Sequence, residues 1–258
     1  MKYRHGPDHH MLTNTQNSPA LLPEGVLQTA RVAAEAVAAA THAARRAPGS
    51  VTLVAVSKHQ STAAVAAAYA AGLTHFGENY LQEGVPKIAS LAALPLIWHF
   101  IGALQANKTR AVATHFDWVH TVDRLRVAER LAAHRSAHQA PLNICLQVML
   151  VPEAGKAGVS PEALPALAHA VARLPGLQLR GLMCIPPATD DPATRRERFR
   201  TLADLLSRLQ AEGLALDTLS MGMSADYTDA ILEGATQVRL GTAVFGERPQ
   251  LIPAQDLS

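Results

Sequence analysis

The feature that most constrains the fold of this chain is a repeated alternation of short apolar segments with helical patterns. Eight segments rich in aliphatic residues predict strands at 51–56, 74–76, 97–101, 118–122, 142–150, 178–184, 217–221 and 237–240. Several are apolar at both odd and even positions, as is typical of parallel strands buried on both faces. The sequence therefore predicts an α/β protein, a (β/α)8 TIM barrel. An open doubly wound sheet is the alternative, but no dinucleotide-binding glycine pattern follows the first strand.

One more helix is predicted before the first strand. Apolar residues recur at spacings of three and four between positions 26 and 44, and two arginines, a proline and a glycine then end the pattern at 45–49. We expect a single barrel domain over residues 21–250 with this extra N-terminal helix. The polar residues 1–20 are expected to be disordered, and residues 251–258 to form a C-terminal tail.

Composition and charge narrow the classes of partner. The formal net charge is +2 without a long basic or acidic block, which argues against nucleic acid as a partner. No segment has the length of a membrane span, and the first residues lack the apolar core of a secretory signal. These observations predict a cytoplasmic protein. Cys145 and Cys184 each lie in an apolar run without zinc-site spacing, which predicts two buried, reduced thiols and no metal site.

A candidate site follows from what the strands carry at their carboxyl ends, which form the active face of such barrels. The first strand leads into Lys58, and a lysine at the end of a buried strand can lose its proton more easily and become a nucleophilic amine. Ser224 follows the seventh strand, and Gly241 and Thr242 follow the eighth, where these barrels often bind phosphate. A lysine on strand one and a phosphate site across the barrel mouth predict pyridoxal phosphate as the cofactor.

Each of these residues also has a structural interpretation. Lys58 can be a solvated lysine at a strand end, and Gly241 can serve only to turn the chain. Ser224 is a candidate N-cap of the helix that follows it, and Asn79 can also be a helix cap. His99 lies within a strand and is predicted to pack in the core rather than to bind a ligand.

Six longer motifs support the interpretation as a binding site. They read LVAVSK at 53–58, FGENYLQE at 76–83, WHFIGxLQxNK at 98–108, LRGLM at 179–183, LSMGMSxD at 219–226 and VRxGTAxFG at 238–246. With these motifs the chain resembles the YggS/PROSC family of pyridoxal phosphate homeostasis proteins. The resemblance extends over about residues 51–248, nearly all of the predicted folded part.

The resemblance implies a fold similar to the barrel domain of alanine racemase, with pyridoxal 5′-phosphate held as a Schiff base on Lys58. It also implies which residues contact the cofactor: Asn79, Met223, Ser224, Arg239, Gly241 and Thr242. Among them Ser224, Gly241 and Thr242 would bind the phosphate, and Arg239 would face the pyridine nitrogen.

One segment departs from the family pattern after the fifth strand. Met149 stands where an asparagine is usual, and Gly155 stands where a serine precedes the lysine. Lys156 and Gly158 are retained. The departure puts the function of this loop in doubt, but it does not affect the predicted Lys58 site.

Two functions from different classes remain open at this point, a carrier of pyridoxal phosphate and a racemase-like enzyme. An arginine at the pyridine nitrogen can only donate hydrogen bonds, so it disfavours a protonated, strongly electron-withdrawing ring. Racemases of this kind also use a tyrosine base from an added domain, and only twelve residues follow Gly246. The sequence therefore predicts a non-enzymatic, monomeric carrier or buffer, with apo-enzymes that require pyridoxal phosphate as its possible recipients.

Overall fold

The computed structural model of the protein describes residues 23–153 and 155–246. Residues 1–22, 154 and 247–258 lie outside the described part. The segment 1–20 that was expected to be disordered and the tail 251–258 are among them, so the domain boundaries stay a prediction.

Eight strands form one closed parallel barrel. They are β1 (Thr52–Val56), β2 (His75–Glu78), β3 (Ile97–Phe100), β4 (Trp118–Val122), β5 (Leu142–Gln147), β6 (Leu177–Met183), β7 (Thr218–Met223) and β8 (Gln237–Leu240). Each strand pairs in parallel with the next one along the chain, and β8 pairs with β1 to close the barrel. The predicted (β/α)8 architecture is confirmed, and the open sheet is excluded.

Helices surround the barrel. They are α1 (Glu24–Ala43), α2 (Thr62–Ala70), α3 (Leu81–Ser90), α4 (Thr109–His115), α5 (Leu125–His134), α6 (Leu164–Val171), α7 (Pro192–Ala211), α8 (Tyr227–Leu232) and α9 (Thr242–Phe245), with a short 3-10 helix at Ala106–Lys108. None of the described helices is long and apolar enough to cross a membrane.

The predicted extra helix is α1, which packs against α9, the short helix that follows β8. Its buried positions Ala30, Ala33 and Val37 follow the predicted spacing of three and four. The Thr29 hydroxyl on the same helix donates a hydrogen bond to the Val244 carbonyl of α9. Because the buried side chains of α1 are small, the helix can lie close to α9 and hold the segment that follows β8.

The strand predicted over 142–150 is too long. Strand β5 ends at Gln147, and beyond it the chain forms only an isolated bridge between Val148 and Val159. Helix α5 ends at His134, where Arg135 turns to extended backbone and its guanidinium donates to the carbonyls of Ala113 and Phe116.

The inside of the barrel is unusually polar. The His120 side chain on β4 bonds to the Ser220 hydroxyl on β7 at 2.7 Å, and these strands are not neighbours, so the bond crosses the barrel interior. Around it lie Trp118, Cys145 and Met183, a small cluster separate from the main core between strands and helices. The predicted buried thiols are confirmed, and burial raises the pKa of both Cys145 and Cys184 to about 12.

Candidate functional site at the carboxyl end of the barrel

The strand ends enclose a cavity of about 320 Å³ that contains six of the seven predicted site residues. Those six are Lys58, Met223, Ser224, Arg239, Gly241 and Thr242. They converge because parallel strands of a barrel all end at one face, so that β1, β7 and β8 deliver their last residues to the same place. The volume is in the range of small-molecule sites.

The loop after β7 is shaped by Gly222, a residue for which the sequence predicted no separate role. Gly222 has a φ of +92°, and a Cβ at this position would lie 2.6 Å from the Ala230 side chain, so only glycine fits. The strand pairing with β8 shifts between Ser220 and Met223 at this point. The resulting bulge turns Met223 and Ser224 towards the cavity.

Ser224 was a candidate N-cap from the sequence, but it does not occupy that position. Helix α8 begins three residues later at Tyr227, and its N-cap position is occupied by Asp226. The Asp226 carboxylate instead accepts the Met223 backbone N–H at 2.6 Å. This turn of the chain leaves the half-buried Ser224 at the cavity wall rather than in a cap.

Arg239 reaches the cavity from β8 as a buried cation held by neutral partners. It is 4% exposed and donates to the Ser220 hydroxyl at 2.7 Å and to the Cys184 carbonyl at 3.0 Å. No carboxylate of residues 23–153 or 155–246 forms a salt bridge with it. Burial lowers the pKa of its guanidinium. Two of its five N–H groups are used, so donors remain for a ligand.

A chain of histidines continues from Arg239 and Ser220 through the barrel, with His120 and His99 buried and His75 half-buried. His120 bonds to His99 at 2.8 Å, and His99 bonds to His75 at 2.9 Å. Burial lowers the pKa of His99 well below its usual value, and burial together with the Arg239 cation lowers the pKa of His120 to about 3. His99 and His120 are therefore neutral at pH 7. His99 is fully buried, so the prediction that it packs inside the protein is confirmed.

Arg239 can only donate, so the Ser220 hydroxyl oxygen accepts a hydrogen bond from it. The same hydroxyl contacts His120 Nδ1, His120 Nε2 contacts His99 Nδ1, and His99 Nε2 contacts His75 Nδ1. One continuous series of hydrogen bonds therefore links the guanidinium to the three histidines. Sequence patterns carry no sign of this series of hydrogen bonds, because its members come from β2, β3, β4 and β7 and recur at no regular spacing.

The structure places Asn79 apart from the other predicted residues. It lines a neighbouring cavity of about 360 Å³, together with Thr121, Met149 and Lys156. Its side-chain oxygen is buried without a hydrogen-bond partner in the described part of the chain. The loop that departs from the family pattern therefore forms one wall of this second cavity, and no residue lines both cavities.

Comparison with known proteins places the chain in a family. Residues 32–249 match the alanine racemase N-terminal domain family. The pyridoxal phosphate homeostasis protein of Pseudomonas aeruginosa is 56% identical over 225 residues, which cover 87% of this chain and 96% of that protein. The protein of the same name from Escherichia coli is 48% identical over 215 residues, 82% of this chain and 92% of that one.

Solved structures agree with this assignment. PipY from Synechococcus elongatus, solved with PLP bound, is 43% identical and superposes with a TM-score of 0.72 over 81% of this chain and 100% of that chain. Alanine racemase from Corynebacterium glutamicum is 15% identical with a TM-score of 0.64 over 86% of this chain and 61% of that one, which shows a common fold alone. The chain therefore belongs to the family of pyridoxal phosphate homeostasis proteins, which is built on the alanine racemase N-terminal domain.

Proposed function

We propose that this protein binds pyridoxal 5′-phosphate through Lys58 and acts in the homeostasis of this cofactor as a non-enzymatic carrier or buffer. The observation that carries the proposal is one cavity lined by a lysine amine, a buried guanidinium, and the Ser224, Gly241 and Thr242 segments. The relatives named for pyridoxal phosphate homeostasis and the PipY structure with PLP support it.

The donor set fits this cofactor group by group. The Lys58 amine suits an aldehyde, and the unused N–H groups of Arg239 suit a ring nitrogen, which accepts hydrogen bonds. The hydroxyls of Ser224 and Thr242 suit phosphate oxygens, and Gly241 leaves its backbone accessible beside them. Asn79 stays a proposed contact that its place in the neighbouring cavity does not by itself support.

Bound pyridoxal phosphate supplies an aldehyde that bonds reversibly to an amine and a conjugated ring that withdraws electrons. Arg239 keeps its proton, since the guanidinium has no tendency to give it up, and so it donates to the ring nitrogen without protonating it. Its partners, the Ser220 hydroxyl and the Cys184 carbonyl, are neutral, so neither forms a salt bridge with the guanidinium. These residues therefore favour holding the cofactor over activating it.

The lining of the Lys58 cavity also favours a carrier over a racemase. Removing and returning a proton on opposite faces of a substrate requires a second base beside the lysine. Among the described residues that line this cavity there is no tyrosine, histidine or carboxylate. Tyr80, in the FGENYLQE motif, lines a different pocket and is 47% exposed.

We infer further that the protein works as a cytoplasmic monomer and delivers pyridoxal phosphate to apo-enzymes that require it.

The first experiment is the visible absorbance spectrum of the purified protein and of Lys58→Ala, with Lys108→Ala as the control. Wild type and the control are expected to show the absorbance of cofactor bonded to an amine and to retain it covalently after borohydride reduction. Lys58→Ala is expected to lose both signals. Retention of a borohydride-stable cofactor in Lys58→Ala would refute the assignment of Lys58.

The second experiment separates carrier from enzyme. The cofactor-loaded protein is incubated with each enantiomer of the common amino acids, and interconversion is followed by chiral chromatography. Turnover no faster than with free pyridoxal phosphate is expected, and faster turnover would favour the racemase.

A further inference from the structure

The FGENYLQE motif at 76–83 contains charged residues that the cofactor contacts do not explain. In the structure, Glu78 ends β2, and Glu83 lies in the first turn of α3. Lys87 lies one turn further along α3, on the same face as Glu83 because the two are four residues apart. All three side chains contact the residues on either side of Lys58, which are Ser57 and His59.

On the amino-terminal side, the contacts hold Ser57. Lys87 Nζ donates to the Ser57 carbonyl at 2.8 Å and to Glu78 Oε1 at 2.6 Å, and the Ser57 hydroxyl donates to the same oxygen at 2.6 Å. The side chains of Lys87 and Glu78 are 6% and 0% exposed. A buried ion pair keeps its geometry because displacing either partner leaves an uncompensated charge. The residue before Lys58 is therefore fixed through both its carbonyl and its side chain.

On the carboxyl-terminal side, the contacts hold His59. This residue has a φ of +63°, a left-handed conformation that residues with a Cβ rarely adopt. Glu83 accepts the His59 backbone N–H at 2.7 Å through one oxygen and contacts the His59 ring at 2.8 Å through the other. One carboxylate thus stabilises an otherwise unfavourable backbone conformation at the residue next to Lys58. The Gln60 N–H closes the turn by bonding to the Ser57 carbonyl at 3.0 Å.

We infer that Glu83 and Lys87 are positioning residues that fix the backbone of Lys58 from both sides and so aim its side chain into the cavity. The inference rests on the proposed function, in which the Lys58 amine condenses with the cofactor aldehyde. That step forms a carbon–nitrogen double bond and releases the aldehyde oxygen as water, with no change of oxidation state. A lysine side chain is long and flexible, so a fixed starting point restricts the space that its amine explores. Neither residue lines the cavity that holds Lys58, so neither is a cofactor contact.

The test compares two probes that differ only at the reacting group. Pyridoxal phosphate carries the aldehyde, whereas 4-deoxypyridoxine 5′-phosphate has the same ring and phosphate with a methyl group instead. A loss of lysine positioning affects bonding to the aldehyde and spares binding of the deoxy probe. General damage to the cavity affects both probes.

The variants are Glu83→Gln and Lys87→Met, with the exposed Glu129→Gln and with Lys108→Met as matched controls. Lys87→Met alone leaves the Glu78 carboxylate buried without its partner, so the double variant Glu78→Gln/Lys87→Met is made as well. Far-ultraviolet circular dichroism establishes that each variant is folded. The rate of covalent bonding is followed by absorbance and borohydride trapping, and the affinity for the deoxy probe by calorimetry.

The covalent rate is expected to fall by about tenfold or more in Glu83→Gln and in the double variant, while affinity for the deoxy probe stays within about twofold. The controls are expected to match wild type for both probes. An unchanged covalent rate, or a parallel loss of both probes, would overturn the inference. A wild-type protein that forms no covalent bond with pyridoxal phosphate would overturn the proposed function itself, and with it this inference; that failure is visible before any variant is compared.

Discussion

The buried histidine chain predicts a specific loss of stability in acid. His120 has a usual pKa of 6.5, and burial first, then the Arg239 cation, lower its pKa in the folded protein to about 3. Between these values the unfolded chain binds a proton that the folded chain does not. The stability contributed by neutral His120 is therefore complete above pH 6.5 and is lost as the pH falls towards 3. For one such group the loss between pH 7 and pH 5 is about 2 kcal/mol.

Replacing His120 with a side chain that does not titrate isolates this contribution. His120→Gln is compared with wild type and with His138→Gln, a control at an exposed histidine. Free energies of unfolding are measured in urea at pH 7, 6 and 5, at the same cofactor occupancy, with the fluorescence of Trp98 and Trp118 as the probe. Titrating groups that do not contact His120 cancel when the pH dependence of each variant is subtracted from that of wild type.

Wild type and His138→Gln are expected to lose about 2 kcal/mol more than His120→Gln on going from pH 7 to pH 5. His120→Gln can be less stable than wild type at pH 7 because its hydrogen bonds to Ser220 and His99 change, but its pH dependence must be shallower. If His120→Gln and wild type lose the same free energy over this range, His120 is not held neutral by its surroundings and the reasoning fails.

Three further predictions follow from the same contacts. Gly222→Ala should lower the free energy of unfolding in urea by about 3 kcal/mol, because this position has a positive φ and the new Cβ lies 2.6 Å from the Ala230 side chain. The control Gly72→Ala should lower it by about 1 kcal/mol, because Gly72 also has a positive φ but its Cβ would point into open space. Ser220→Ala should cost about 1 to 3 kcal/mol and shift the absorbance of bound cofactor, because the buried guanidinium loses an acceptor. Cys145 and Cys184 should react with a thiol reagent at pH 8 only on unfolding, since burial raises the pKa of each to about 12.

The interior contacts show why part of the site could not be predicted. The partners His120 and Ser220 are 100 residues apart, and the Arg239–Cys184 pair is separated by 55 residues. Spacing along a sequence reports on neighbours two to four residues away, which decide whether a segment is helix or strand. It carries no information on which side chains meet inside a closed barrel.

Residue type alone also misled at two positions, Ser224 and Asn79. Ser224 has the right residue type for a helix cap, but Asp226 binds the Met223 N–H and helix α8 begins later. Asn79 belongs to the same strand-end face as Lys58, yet it lines the neighbouring cavity. Being at the same end of the barrel brings residues within reach of one another, but the direction of each loop decides which cavity they share.

The sequence by itself determined the alternation of strands and helices, and with it the barrel, the extra helix and the face on which Lys58 and Arg239 meet. These follow from apolar periodicity and from the rule that parallel strands of a barrel all end at one face. Only the tertiary structure decided how Lys58 is held, through Glu83 and Lys87, and how Arg239 is kept charged without a carboxylate. The physical reason is that burial makes each polar group depend on a partner, and packing of the whole chain selects that partner.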